Sequence, residues 1–358
     1  MKLNQFDYFR AIAILFVVFG HTAQVLLNVY SHDSFTTAFI YTLIGGSTAL
    51  FVFISGFFFH YVFYKNFEFK AFMLKKIKGV YIPYLILTIL TFIGFYLLQE
   101  TKVIDNVTNE IAIEIAQQNS FWNLLMLLKA HIVNGSIFIQ FWYIPFIMLM
   151  FIASPIFISY IKLDTKLRIS IMLLLIASSL LTHRPLDHSY TLHAFIYYLP
   201  IYLLGINCSI HRESVNKYLN NKSAILGFLV FVLVATQIAV FDHVGNYQKE
   251  DLFSYNGISI MLIQKIFLIF FFLSFLQKYE KTDNRFLKEI AASSFAIFFL
   301  HMLFLEVLLK LHIDSLLSVT PDLINWLATS VLVVLASYVF AYFVKSTLKR
   351  NSKFLIGW

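Results

Sequence analysis

The amino-acid sequence predicts an all-α integral membrane protein with about ten transmembrane helices and both termini in the cytoplasm. Hydrophobic residues make up 59% of the 358 residues and charged residues only 13%. In a typical soluble domain about half of the residues are hydrophobic and about a quarter are charged. The mean hydropathy is +0.77. Lys and Arg also collect in alternate connections between the apolar stretches. The single cysteine, Cys208, excludes an intrachain disulfide and any multi-cysteine metal site.

The apolar stretches follow one another along the whole chain. Each approaches the roughly 20 helical residues that a bilayer core requires, although the fifth and sixth are short. No internal repeat interrupts the series. The stretches cover residues 8–29, 38–63, 80–98, 140–161, 168–183, 194–210, 223–241, 257–277, 290–311 and 323–344.

Basic residues alternate between the two sides of this predicted bundle. Cytoplasmic loops of membrane proteins are rich in Lys and Arg, so the basic set marks the inner side and the net charge of +8 does not indicate nucleic-acid binding. The inner set is Lys2, Lys65, Lys70, Lys75, Lys76, Lys78, Lys162, Lys166, Arg168, Arg212, Lys217, Lys222, Lys278, Lys281, Arg285, Lys288, Lys345, Lys349, Arg350 and Lys353. The opposite set holds only Lys102, Lys129, Arg184, Lys249 and Lys310.

The remaining segments complete a single membrane domain. Residues 121–135 are half apolar and too polar to span, which favours an interfacial or re-entrant helix. We assign residues 1–345 to one membrane domain and residues 346–358 to a short basic cytoplasmic tail.

The first apolar stretch carries two ionisable groups, Arg10 and His21. Eleven residues make about three helical turns, so both side chains project from nearly the same face, roughly 16 Å apart. An ionisable group facing lipid costs a few kcal/mol or more. We therefore expect this face to line an active site. An ion pair between Asp7 and Arg10 at helical spacing is a compatible structural interpretation.

Six motifs occur in a fixed order along the chain. They are Arg10-x10-His21, Phe51–Phe57, Lys75–Tyr84, Phe141–Pro145, Tyr202–Gly205 and Ser294–His301. In this order and spacing the chain resembles the acyltransferase-3 family of multi-pass membrane O-acyltransferases, which modify cell-surface polysaccharides in bacteria. The resemblance covers essentially the whole chain.

The resemblance implies an acyl-CoA donor on the cytoplasmic side, with acetyl-CoA expected. No metal is expected, because His183, His188 and His193 are five residues apart, which is neither a helical metal pair nor a known ligand motif. It implies a hydroxyl acceptor on a glycan or its lipid-linked precursor, and an enzyme in the bacterial cytoplasmic membrane beside polysaccharide synthesis proteins. It also implies that Arg10 and His21 are essential. The inner loop of the family is usually rich in arginine, whereas Lys75, Lys76 and Lys78 stand here. Lysine neutralises a phosphate as a point charge but lacks the bidentate fork of arginine.

His21 is the best catalytic candidate. An imidazole can take the proton of a sugar hydroxyl as that hydroxyl attacks a thioester. Alternatively, it can accept the acyl group itself and then pass it on. The structural alternative is a histidine bonded to a backbone carbonyl. Arg10 is expected to hold a donor phosphate or to polarise the thioester carbonyl.

Four further residues are candidates for the acceptor side. His301, with Glu306 one helical turn or so beyond, suits acceptor binding or proton transfer, or a hydrogen bond within the core. Burying the ammonium group of Lys265 inside its apolar stretch costs free energy. We therefore expect Lys265 to form an ion pair with Glu306 or with an acceptor carboxylate. Trp142 suits stacking on a sugar ring, or anchoring at the membrane interface.

Two other function classes fit the same intramembrane charges. A transporter or flippase would move a polysaccharide or a lipid-linked glycan past them. Such proteins commonly have repeated halves with interrupted helices, and the sequence has no such correspondence. A membrane scaffold of a polysaccharide synthase is the third interpretation.

Overall fold

The structure is a computed structural model. It describes residues 3–27, 34–98, 121–186, 190–249, 257–312 and 322–358. Lys2 and Lys102 of the predicted charge pattern lie outside these residues.

Helices account for nearly all of the described chain. The first half contains α1 (Asn4–Leu26), α2 (Phe35–Ile44), α3 (Thr48–Phe58), α4 (Phe69–Lys76), α5 (Ile82–Leu97), α6 (Phe121–Asn134), α7 (Tyr143–Ile152), α8 (Ser154–Ile161) and α9 (Thr165–Thr182). The second half contains α10 (Thr191–Ile210), α11 (Arg212–Leu219), α12 (Ser223–Ala239), α13 (Ile260–Gln277), α14 (Arg285–Lys310), α15 (Asp322–Leu348) and α16 (Ser352–Ile356). A parallel bridge joins β1 (Arg184–Pro185) to β2 (Gln248–Lys249).

The predicted spans are confirmed. Among the described residues, 8 helical segments are long and apolar enough to cross a membrane, and two bent pairs raise the number to 10. The first pair, α7 and α8, bends by 52°, and the second, α11 and α12, bends by 82°. Each of the ten predicted stretches falls on one of these segments. The cytoplasmic placement of both termini stays a prediction.

Helix α1 packs against α2, α3, α13, α14 and α15. Its small residues Ala11 and Ala13 are fully buried, and its aromatic rings interlock with those of neighbouring helices. Phe6 stacks on Phe57 with ring centroids 3.8 Å apart. Near the other end, the buried indole of Trp326 in α15 donates a hydrogen bond of 2.9 Å to the carbonyl of Phe19. These contacts hold α1 in place, and α1 carries Arg10 and His21.

Helices α3 and α10 cross in direct backbone contact. A Cβ atom added at Gly56 would lie 2.0 Å from the carbonyl oxygen of Tyr202. One added at Gly205 would lie 2.2 Å from the carbonyl oxygen of Phe53. Small residues allow this approach in membrane bundles. The crossing matters for the site because α3 and α10 carry walls of the cavities described below.

Replacing Gly56 with alanine is expected to destabilise the protein by about 1–3 kcal/mol, because the new methyl group meets backbone atoms that cannot rotate away. The matched control is Gly94→Ala in α5, where an added Cβ meets nothing within 4 Å. Thermal midpoints of the two purified variants in the same detergent check this. Equal thermal midpoints would show that α3 and α10 can move apart enough to accommodate the added methyl group.

Two short segments, Phe59–Phe63 and Ile77–Tyr81, form π-helical turns. Such turns occur frequently at functional sites. The segment beyond residue 345 packs against this region: Ile356 of α16 is buried, and the Cε atom of Lys353 would lie 3.1 Å from a Cβ added at Gly79. The predicted tail therefore folds back onto the helices.

Residues 121–134 form a helix, α6, which is not among the candidate spans. Phe121 and Trp122 are exposed, whereas Leu127 and His131 are buried. The hydroxyl of Tyr84 donates to the carbonyl of Ile132 at 2.7 Å, which anchors α6 to α5. Its interfacial or re-entrant placement in a membrane stays a prediction.

Candidate active site

His21 and His301 are hydrogen-bonded to each other. Nδ1 of His21 and Nε2 of His301 lie 2.9 Å apart, and the two ring planes differ by only 4°. His301 is completely buried. The structure thus brings together two sequence-predicted residues that lie on α1 and α14.

The backbone of α14 sets the proton positions of this pair. Nδ1 of His301 lies 3.1 Å from the carbonyl oxygen of Ile297 and 2.9 Å from that of Phe298. A carbonyl only accepts, so Nδ1 of His301 carries the proton and Nε2 of neutral His301 carries the lone pair. His21 must then donate through Nδ1–H, and its own lone pair lies on Nε2. A third group orients a catalytic histidine in the same way in hydrolytic triads.

His21 lines a cavity, called here the His21 cavity, whose empty space is about 780 Å³ including the part open to solvent. The walls come from α1, α2, α3, α7 and α14 and from the segments before α7 and around β1 and β2. The lining residues include Phe16, Gln24, Tyr41, Phe51, Gln140, Trp142, Tyr143, Arg184, Asn246, Phe295 and Phe298.

Trp142 lines the His21 cavity, but its ring already has aromatic and cationic neighbours. The guanidinium carbon of Arg184 lies 5.3 Å from the ring centroid, and the ring of Tyr198 is stacked at 6.2 Å. The indole therefore packs among protein groups at least as much as it faces the cavity. Arg184, which is nearly buried, is the charged residue that the sequence interpretation assigned only to an outer loop.

Lys265 lies behind the wall of this cavity. Its Nζ atom donates a hydrogen bond of 2.7 Å to the carbonyl of Leu43, at the end of α2. Lys265 is not among the lining residues of either cavity in the described chain, nor is the half-buried Glu306. The structure thus gives Lys265 a backbone carbonyl as partner, and the expected acceptor contacts of Lys265 and Glu306 stay predictions.

Arg10 lines a second cavity, called here the Arg10 cavity, whose empty space is about 860 Å³ including the part open to solvent. Nη2 of Arg10 lies 3.4 Å from the Asp7 carboxylate, as helical spacing predicts. Nε of Arg10 is buried and has no hydrogen-bond partner among the described residues. Arg10 therefore keeps a donor N–H for a ligand although it is paired with Asp7.

Lys76 is the predicted inner-loop lysine that reaches the Arg10 cavity. Its ammonium group lies 4.4 Å from the ring centroid of Phe151 and 4.9 Å from that of Phe63. Lys75 and Lys78 are exposed and do not line the cavity in the described part of the chain. The three lysines thus divide between the cavity wall and the adjoining surface.

The two cavities adjoin through a shared aromatic wall. Phe51, Tyr143 and Phe295 line both of them, and the hydroxyl of Tyr143 interacts with that of Ser55. Arg10 and His21 therefore line different cavities that share these three residues.

Residues 3–342 match a family model described as acyltransferase domain. The chain belongs to the acyltransferase-3 family. It is therefore a multi-pass membrane acyltransferase, and the family resemblance predicted from its motifs is confirmed. No curated protein and no solved structure matches the chain.

Three residues that line the His21 cavity were missed by sequence reasoning: Gln24, Gln140 and Asn246. An amide within an apolar run resembles an ordinary core residue, and nothing local connects Asn246 to His21. Gln24 had a usable signal, because it follows His21 by three residues and shares its helical face.

Proposed function

We propose that this acyltransferase transfers an acyl group, with acetyl expected, from acyl-CoA to a hydroxyl of a cell-surface glycan or its precursor. The observation that carries the proposal is the pairing of His21 with His301 at one cavity while Arg10 lines an adjoining one. Family membership supports group transfer in place of transport. The bacterial cytoplasmic membrane is the proposed location.

The Arg10 cavity suits the donor. Arg10 and Lys76 supply positive charge for a phosphate, and Lys75 and Lys78 extend that charge over the adjoining surface. Phosphate groups favour such cations. The aromatic walls suit the pantetheine arm, which would place the thioester at the wall formed by Phe51, Tyr143 and Phe295.

The His21 cavity suits the acceptor. Nε2 of His21 takes the proton of the sugar hydroxyl as its oxygen attacks the thioester carbonyl carbon. The tetrahedral intermediate collapses with cleavage of the carbon–sulfur bond, and the imidazolium returns the proton to the CoA sulfur. In the alternative route, Nε2 of His21 attacks the thioester carbonyl carbon, the carbon–sulfur bond breaks and CoA leaves as a thiolate. The hydroxyl oxygen then takes the acyl group from the acyl-imidazolium, Nε2 is released, and the hydroxyl proton ends on the CoA thiolate.

The function is tested by comparing cells that lack this protein with cells that express it. We expect alkali-labile acyl groups on the envelope glycans only in the cells that express the protein. We also expect CoA to be released when acetyl-CoA is added to membranes that contain the protein. Identical glycan acylation in both strains, without thioester cleavage, would contradict the proposal.

Arg10→Gln is expected to raise the KM for acyl-CoA roughly tenfold or more, since a hydrogen bond to a charged group contributes about 1.5–3 kcal/mol and each 1.4 kcal/mol is tenfold. Stability should change little, because an i,i+3 pair on a helix contributes only about 0.2–0.5 kcal/mol. The control is Arg285→Gln, an exposed inner-side arginine. Initial rates over a range of acetyl-CoA concentrations measure both variants, and an unchanged KM in Arg10→Gln would remove Arg10 from the donor site.

A further inference from the structure

Three side-chain amides converge on the His21 cavity from separate parts of the chain. Gln24 comes from α1, Gln140 from the segment before α7, and Asn246 from the segment before β2. Gln140 is only 1% exposed. Both amide atoms of Gln140, Oε1 of Gln24 and Oδ1 of Asn246 are buried without a hydrogen-bond partner in the described chain.

Such groups are costly to leave unsatisfied, and nearly all buried polar groups in proteins are paired. Other buried amides of the described chain are satisfied at the nitrogen, although Oε1 of Gln237, Gln264 and Gln277 is buried without a partner there. The Nε2 atom of Gln5 donates to the carbonyl of Leu273 at 2.7 Å, and that of Gln237 donates to the carbonyl of Gly245 at 2.8 Å. Gln140 is distinct among the described residues because both of its amide atoms lack a partner, and it lines the cavity that contains His21.

The segment that carries Asn246 is held firmly. The backbone N–H of Gly245 donates to the hydroxyl of Thr42 at 2.9 Å, and Gln237 binds the carbonyl of the same glycine. Oδ1 of Asn246 lies 3.3–3.4 Å from the positions that Cβ atoms would take at Gly45 and Gly46. The backbone that carries this amide is therefore held on the cavity wall, and Oδ1 has no hydrogen-bond partner among the described residues.

The chemistry of an amide identifies the class of ligand. Each amide group offers both a donor and an acceptor, and so does each sugar hydroxyl or acetamido group. The described lining has no carboxylate, and its other walls are largely aromatic and suit the C–H faces of a ring. A simple alcohol would leave most of these amide atoms unsatisfied.

We propose that Gln24, Gln140 and Asn246 form an acceptor-recognition site that binds the hydroxyl or acetamido groups flanking the reacting hydroxyl of a sugar. This inference rests on the proposed function, since it assigns the acceptor to the His21 cavity. The amides select the acceptor and orient it, while His21 performs the proton or acyl transfer.

The test uses membranes from cells that make the native glycan, with labelled acetyl-CoA as donor. Gln140→Met keeps the length and adaptability of the side chain but removes the amide. At saturating acetyl-CoA we expect incorporation into glycan to fall roughly ten- to hundredfold, as expected for loss of one or two hydrogen bonds. The KM for acetyl-CoA should not change. Gln24→Met and Asn246→Ala should show the same pattern.

Thermal stability separates recognition from a structural role. Because the side-chain amide of Gln140 has no hydrogen bond within the described protein, Gln140→Met should leave the thermal midpoint unchanged or raise it. Gln5→Met, the matched control, should lower the midpoint without selective loss of acceptor use. A lower midpoint in Gln140→Met, comparable to that of Gln5→Met, would overturn the proposal.

The remaining outcomes also decide the matter. Incorporation within twofold of wild type in Gln140→Met would show that the amides bind only water, and a changed KM for acetyl-CoA would place Gln140 at the donor; both overturn the inference. Absence of incorporation by the wild-type protein would instead contradict the proposed function itself, so the two failures are distinguishable.

Discussion

Replacing His21 with alanine is expected to reduce acyl transfer to glycan by roughly a thousandfold or more. Positioned proton transfer contributes about 10²–10⁴ to a rate, and loss of a nucleophile would cost at least as much. A thousandfold corresponds to about 4 kcal/mol of transition-state stabilisation. This effect is expected in both routes, because Nε2 of His21 is the reacting atom in each.

The measurement is the acyl content of the envelope glycan and the rate of incorporation from labelled acetyl-CoA. His21→Gln serves as a companion variant, because it fills much of the same space with a side chain that is not basic. Both variants should accumulate in membranes to wild-type levels. Normal acylation with either variant would remove His21 from the chemistry.

A simple exchange experiment separates the two routes through His21. If His21 accepts the acyl group, wild-type protein without acceptor should exchange labelled CoA into acetyl-CoA, and His21→Gln should not. If His21 acts only as a base, no exchange should occur until acceptor is present. Arg10→Gln should slow exchange at low acetyl-CoA only.

Much of the fold was predictable because the signals are local. Stretch length and apolar composition decide which segments can span a bilayer, and all ten predicted stretches correspond to described helices or bent helix pairs. The bends were not predicted. One break lies at Ala153, between α7 and α8, and the other lies near residues 220–222, between α11 and α12. Packing and turn geometry set both breaks, and hydropathy contains no information about either.

The site was only half predictable for a related reason. The spacing of Arg10 and His21 follows from one helix, so their shared face could be inferred. The bond from His21 to His301 joins residues 280 positions apart, and no local pattern fixes such a contact. Gln140 and Asn246 join the site by the same kind of long-range packing, and their amides are informative only once their lack of protein partners is visible.

His301→Ala is expected to lower the rate of acyl transfer roughly a hundredfold while leaving the KM for acetyl-CoA unchanged. His301 does not line either cavity in the described chain, so we assign it a positioning role. Its Nε2 atom accepts the Nδ1–H of His21 and thereby keeps the lone pair of His21 on Nε2. Without that acceptor, His21 samples the other tautomer and other ring orientations. Loss of the orienting group is similarly costly in hydrolytic triads.

A double-mutant cycle tests positioning against a purely structural role. Residues that act as a unit are strongly non-additive. If His301 acts through His21, the variant with both histidines replaced should be no slower than His21→Ala alone. His301→Gln should recover part of the activity, because its side-chain oxygen can accept the same hydrogen bond. A further loss in the double variant, with a lowered thermal midpoint and no recovery in His301→Gln, would show that His301 only packs α14 against α1. The tautomer of His21 would then have to be set by another group on the cavity wall.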